Sequence, residues 1–158
     1  MLLIKNLLFT FIVPGTAAVY LPLALTPDQM VSWGITAAAS MLLFLSGATV
    51  YTWCVWDFAS FGRGTPLPLD APKKLVIRGL YRYSRNPMYV GVLLVILGWA
   101  ALFRSWGLVG YALLIATGFQ LFIVLYEEPH LQGVFGPSYA EYCARVGRWL
   151  PRRWPGVD

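Results

Sequence analysis

From Val31 to Trp56 the chain carries no charged residue. In hydrocarbon, every backbone N–H and C=O of such a run must find its partner inside the segment, so the run is read as a helix crossing a bilayer. Trp33 lies near one end and Trp53 and Trp56 near the other, where interfacial anchors belong. The rest of the chain agrees. Of 158 residues, 58% are apolar and 12% charged, against roughly a quarter charged in soluble domains. Mean hydropathy is +0.63. An ordinary soluble domain is excluded, and the length allows one small helical bundle, so residues 1–158 are read as a single domain.

Three more segments have spanning character. The first runs from Leu2 to about Leu25, interrupted by Pro14-Gly15 and Pro22, which a membrane helix tolerates when neighbours satisfy the freed backbone. Its alternative is a signal peptide, with Lys5 as the charged start and Gly15 to Ala18 as the cleavage region. Pro14 within the core and the lack of an A-x-A site argue against that. The third segment, Met88 to Phe103, is short, about 24 Å at 1.5 Å per residue, and must tilt little or thin the bilayer. The fourth runs from Trp106 to Tyr126. Beyond Pro129, Gly136-Pro137-Ser138 restarts a helix with the apolar stripe Tyr139, Tyr142, Cys143 and Val146, expected to lie in the membrane interface. The expected fold is all-α, with about four transmembrane helices and a C-terminal interfacial amphipathic helix.

Basic residues set the orientation. Arg63, Lys73, Lys74, Arg78, Arg82 and Arg85 lie between the second and third segments, and Arg145, Arg148, Arg152 and Arg153 in the tail. The opposite turns, Thr26 to Met30 and Arg104-Ser105, hold one Arg between them. The expectation is an integral protein of a cytoplasmic (inner) membrane with both termini cytoplasmic. The net charge of +5 follows from this asymmetry and from attraction to anionic lipid, without nucleic acid. Cys54 and Cys143 read as free thiols rather than a disulfide framework.

Two clusters carry chemistry. Lys73 to Gly91 holds five basic residues and three tyrosines, and ends in Asn86-Pro87, an N-cap and first-turn signal. Arg82, Arg85 and the free N–H groups of that helix start would suit a carboxylate or phosphate; a topological anchor is the plainer alternative. Glu127-Glu128-Pro129 follows directly on an apolar run. Pro129 is expected to push Glu128 out of helical geometry, and two carboxylates beside hydrocarbon call for a cation, from a protein Arg or from a ligand's ammonium or sulfonium. Tyr81, Tyr83, Tyr89, Tyr139 and Tyr142 offer either a cation-attracting wall or an interfacial belt. His130 reads as a satisfied interfacial histidine, not a metal ligand. Gly91 and Gly98, two turns apart, mark a close helix contact.

Over about residues 64 to 151 the chain resembles the isoprenylcysteine carboxyl methyltransferase and phospholipid methyltransferase superfamily of membrane enzymes. Leu75-Val76, Gly79, Tyr81 and Arg85-Asn86-Pro87-Met88-Tyr89-Val90-Gly91 carry one motif. Glu127-Glu128, Leu131, Phe135-Gly136, Tyr139, Tyr142, Val146 and Pro151 carry the other. The resemblance implies S-adenosyl-L-methionine (SAM) as methyl donor and S-adenosyl-L-homocysteine as product. Lys73, Lys74, Leu75, Val76, Tyr81, Asn86, Pro87 and Tyr89 would line the cofactor, and Glu127 and Glu128 would meet its charged groups. There are two departures. Asn86 stands where the motif has histidine. Phe119 to Tyr126 holds no charge, where the prenylcysteine enzymes carry an arginine linked to their substrate's carboxylate.

The expected activity is SAM-dependent methylation of a lipid-like or small hydrophobic acceptor, on oxygen, nitrogen or sulfur, with a phospholipid amine as the leading case. Glu128 is the candidate proton acceptor, Arg85 the second catalytic candidate, and Arg82 or Arg85 would hold a lipid phosphate. The expected partners are the lipid bilayer and a lipophilic small molecule. The alternative is a non-catalytic scaffold that keeps the fold without binding SAM.

Overall fold

The computed structural model describes residues 10–28, 30–62 and 75–151, and the regular structure among them is all helical. The helices are α1 (Thr10–Leu25), α2 (Ile35–Phe61), α3 (Pro87–Leu102), α4 (Trp106–Phe135) and α5 (Pro137–Arg145). A 3-10 turn, Gly79–Arg82, lies in the segment leading to α3. The start of the first expected span, and residues 63–74 with Lys73 and Lys74, lie outside the described residues.

By length and apolarity α2 and α4 are long enough to cross a membrane, whereas α1 and α3 are shorter apolar helices. In both long helices only 17% of the apolar window is buried within the protein, unlike the core helix of a soluble domain. Leu42 and Leu45 on α2, and Leu113, Leu114 and Leu125 on α4, stand exposed. Such contiguous apolar faces mark surfaces that meet a membrane or another protein. Trp33 and Trp106 are exposed at one end of these helices, and Trp53 and Trp56 at the other.

Prolines inside α1 and α4 are absorbed by π-turns. Thr16–Tyr20 precedes Pro22, and Ile123–Glu127 precedes Pro129. A proline supplies no N–H to the ladder, so carbonyls one turn back lose their partner. In α1 those are Ala17 and Ala18, and both are answered from other helices. Trp99 Nε1 donates to the Ala18 carbonyl at 3.0 Å, and the Tyr111 hydroxyl to that of Ala17 at 2.8 Å. The defect in α1 thereby becomes its attachment to α3 and α4. At Pro129 the expectation of a break is corrected. Glu128 keeps helical angles, φ −63 and ψ −46, and α4 continues to Phe135, well past Tyr126.

The crossing of α2 and α3 is closest at Gly47 and Gly91. A Cβ on Gly47 would stand 2.7 Å from the Gly91 carbonyl oxygen, and one on Gly91 would stand 3.0 Å from that of Gly47. Further along, a Cβ on Gly98 would enter the Phe44 ring. Gly91 and Gly98 therefore mark the close contact expected of them, and Gly47 completes it. α3 and α4 join through a tight turn in which Arg104 takes a left-handed φ of 48 and Ser105 Oγ caps α4 by accepting from the Leu108 amide.

The apolar stripe of α5 is present but turned inward. Tyr139, Tyr142 and Val146 are buried against Leu75, Leu131, Phe135 and Cys143. This stripe covers protein, where the sequence reading had it facing lipid. α5 and the chain after it therefore close over the end of the bundle where α2 ends and α3 begins.

Candidate active site

At that end the start of α3 and the chain after α5 are stitched together. Asn86 occupies the N-cap position and Pro87 the first helical one, as their types predict. The Asn86 side chain does not cap the helix, however; its Nδ2 donates to the Arg148 carbonyl at 3.0 Å. Ser84 Oγ accepts from the Asn86 amide and donates to the same carbonyl, each at 3.2 Å. The Arg85 amide donates to the Gly147 carbonyl at 2.9 Å. Trp149 Nε1 reaches Gln120 Oε1 on α4 at 2.7 Å.

Consecutive residues of a helix point about 100° apart, so Glu127 and Glu128 face different partners. Glu128 is held by two arginines. Arg148 donates through Nε to Oε1 and through Nη2 to Oε2, both at 2.8 Å, and Arg85 Nη1 lies 2.9 Å from Oε1. The paired bonds from one guanidinium are the strong, geometrically specific form of this contact. The bond to Glu128 also holds the Arg148 guanidinium more firmly in its charged form. Arg85 donates from Nη1 to Cys143 Sγ as well, while its Nε is buried without an acceptor. Glu127 instead accepts from the Tyr89 hydroxyl at 2.9 Å, and the Tyr89 ring packs on Phe119. Among the described residues no cation pairs with Glu127.

Tyr81 lies between this site and α2. It is buried with Cys54, Val76 and Met88, edge-on to Phe58, and its carbonyl accepts from the Tyr142 hydroxyl at 2.8 Å. Burial, reinforced by Cys54 and Glu127, holds its phenol well above the usual range, so Tyr81 stays protonated. Next to it, Asp57 at the end of α2 has a side chain only 3% exposed, with Arg78 Nε 3.6 Å from Oδ1 and no hydrogen-bond partner for Oδ2. Gly79 packs against this carboxylate and the Trp53 indole at φ +56, in space that a side chain would fill. Arg78 lies over the Phe61 ring, 3.3 Å from its centroid.

Of the residues expected to line a cofactor, Val76, Tyr81, Asn86, Pro87, Tyr89, Glu127 and Glu128 gather around this end, with Leu75 one layer away under α5. Arg82 is exposed at the end of the 3-10 turn. His130 stacks on Tyr126, with ring centroids 5.9 Å apart. Sequence reasoning passed over two residues. Asp57 closes an uncharged run, as Glu127 does, and that position is the signal that could have found it. Arg148 stands among several basic tail residues, and nothing local announces a partner twenty positions away.

No curated protein and no solved structure matches the chain significantly. A sequence model of the phospholipid methyltransferase family matches residues 35–138. The match takes in α2, the Leu75–Gly91 motif, both glycines of the α2–α3 crossing and the acidic pair, and ends just short of Tyr139. It spans well over half of the chain, and the chain therefore belongs to the phospholipid methyltransferase family, a family of membrane methyltransferases.

Proposed function

We propose that the protein is an integral-membrane enzyme that transfers a methyl group from SAM to a lipid-like acceptor, with the amine of a phospholipid as the leading substrate. The observation that carries this reading is Glu127: a half-buried carboxylate at the end of an apolar run that receives a phenol but, among the described residues, no protein cation. A carboxylate so placed favours an ammonium or sulfonium. The buried Nε of Arg85 is the complementary feature, a charged donor lacking an acceptor. Together they suit a ligand bearing both charges, as the amino-acid end of SAM does.

When bound, SAM supplies a methyl group on a positively charged sulfur. Glu127 would hold the ligand's cation, with Tyr89 fixing the carboxylate's orientation, and Arg85 would take its carboxylate. Tyr81, Val76 and Asn86 would wall the site and exclude water. Alignment of acceptor, methyl carbon and sulfur is the main contribution such a site makes. Glu128 is a poor proton acceptor in this arrangement, because guanidinium groups occupy both its oxygens. Its role is to keep Arg85 and Arg148 in place. Arg82, exposed at the rim, would meet the lipid phosphate. In this reading α1 to α4 all cross the bilayer, and both termini and the segment before α3 lie on the cytoplasmic side.

The test is calorimetric titration of SAM into detergent-solubilised protein, followed by transfer of labelled methyl to vesicles containing phosphatidylethanolamine. Saturable binding that is lost in Glu127→Gln, and a raised apparent KM for lipid in Arg82→Ala, support the reading. Well-folded protein that binds no SAM would refute it and leave the non-catalytic scaffold.

A further inference from the structure

Arg148 belongs to neither group of residues expected to meet cofactor or substrate, yet it is the best-anchored cation at the site. Its backbone is held on both sides. Val146 is buried under α5, the Gly147 carbonyl accepts from the Arg85 amide, the Arg148 carbonyl accepts from Ser84 and Asn86, and Trp149 bonds Gln120. Residues 146–149 thus form a strap across the start of α3. From it the guanidinium reaches Glu128 with two bonds of 2.8 Å.

The strap makes two adjacent carboxylates unequal. Glu128 has both oxygens engaged by guanidinium groups, whereas among the described residues Glu127 accepts only the Tyr89 hydroxyl. Without Arg148, Glu128 would keep a single contact with Arg85 and compete with Glu127 for any cation entering the site. A ligand would then spread over two positions, and alignment for transfer would suffer. We propose that Arg148 is a positioning residue: by sequestering Glu128 it assigns the ligand's cation to Glu127, and the strap holds it there. The proposal rests on the methyltransferase reading above and names the device that makes its site selective.

The experiment is a double-mutant cycle on the full chain in detergent, reading the dissociation constant for SAM in wild type, Arg148→Ala, Glu128→Ala and the pair. Arg148→Ala should weaken binding about ten-fold or more, whereas in the Glu128→Ala background the same change should cost nothing further, because Arg148 acts through Glu128. Gln120→Leu, which releases Trp149 without touching a charge, should weaken binding several-fold. Arg148→Lys keeps the charge but cannot form the paired bonds; it stands in for alanine where that variant misfolds, and should show a comparable loss of affinity. Wild-type affinity or tighter binding in the folded Arg148 variants would overturn the proposal, as would losses that multiply in the double variant. Folded wild type that binds no SAM would instead overturn the methyltransferase reading, before any variant is compared.

Discussion

The Gly47–Gly91 crossing supports a quantitative test, because the neighbouring helix α4 carries glycines in open space. In Gly47→Ala the new Cβ would stand 2.7 Å from the Gly91 carbonyl oxygen and 2.8 Å from a Val95 methyl, about 0.7 Å short of the 3.4 Å at which ordinary contact begins. Backbone cannot rotate aside as a side chain can, so α2 and α3 must separate. Overpacking of this kind costs about 1–3 kcal/mol. Gly91→Ala, whose nearest backbone neighbours lie at 3.0 and 3.1 Å, should cost less. Gly110 and Gly118 on α4 meet nothing within 4 Å, so alanine there should be neutral or add up to about 1 kcal/mol of helix propensity. The displacement also reaches the site. Tyr89 is two residues from Gly91, and its 2.9 Å bond to Glu127 has little slack. A misplacement of about 1 Å is enough to cost about 100-fold in rate. Unfolding in mixed detergent and methyl transfer should both rank Gly47→Ala as worst, then Gly91→Ala, then the two α4 variants. Equal stability of Gly47→Ala and Gly110→Ala would refute the claim that the crossing is in backbone contact.

Trp99→Phe and Tyr111→Phe each uncover a carbonyl that Pro22 leaves without an intrahelical partner. Each should lower unfolding stability by about 0.6–2 kcal/mol, while the same changes in a Pro22→Ala background should cost less. Gly79→Ala forces a left-handed φ on a residue with a Cβ and drives that Cβ against Asp57. It should cost about 1–2 kcal/mol for the backbone alone and weaken SAM binding by shifting the segment that ends in Arg85. Burial raises the phenol pKa values of Tyr81 and Tyr142 in the folded state. Their contribution to stability is therefore complete below the ordinary phenol value of about 10 and is lost as pH rises through the folded values. Melting temperature should decline above about pH 10, and less steeply in Tyr142→Phe.

Much of the fold is legible in one dimension, for a physical reason. A bilayer leaves an uncharged run no structure but a helix, so Val31 to Trp56 and Trp106 to Tyr126 declare themselves by composition, and Asn86-Pro87 marks the start of α3 within a residue. The motif residues also gather at one end of the bundle, because both lie at helix termini on the same side of the α3–α4 hairpin. Other features depend on rotation and partnership, which no local pattern encodes. The glycines of α3 suggest a close contact, but only the packing of α2 against them identifies Gly47. Pro129 looks like a helix end, and a π-turn carries α4 through it. The stripe of α5 has the spacing of an interfacial helix and is buried instead against Leu131 and Phe135. Glu127 and Glu128 are equivalent in the sequence. They become different because α4 turns one toward Tyr89 and the other toward a strap whose arginine arrives from twenty residues away, and a carboxylate's chemistry is decided by the charges and donors around it.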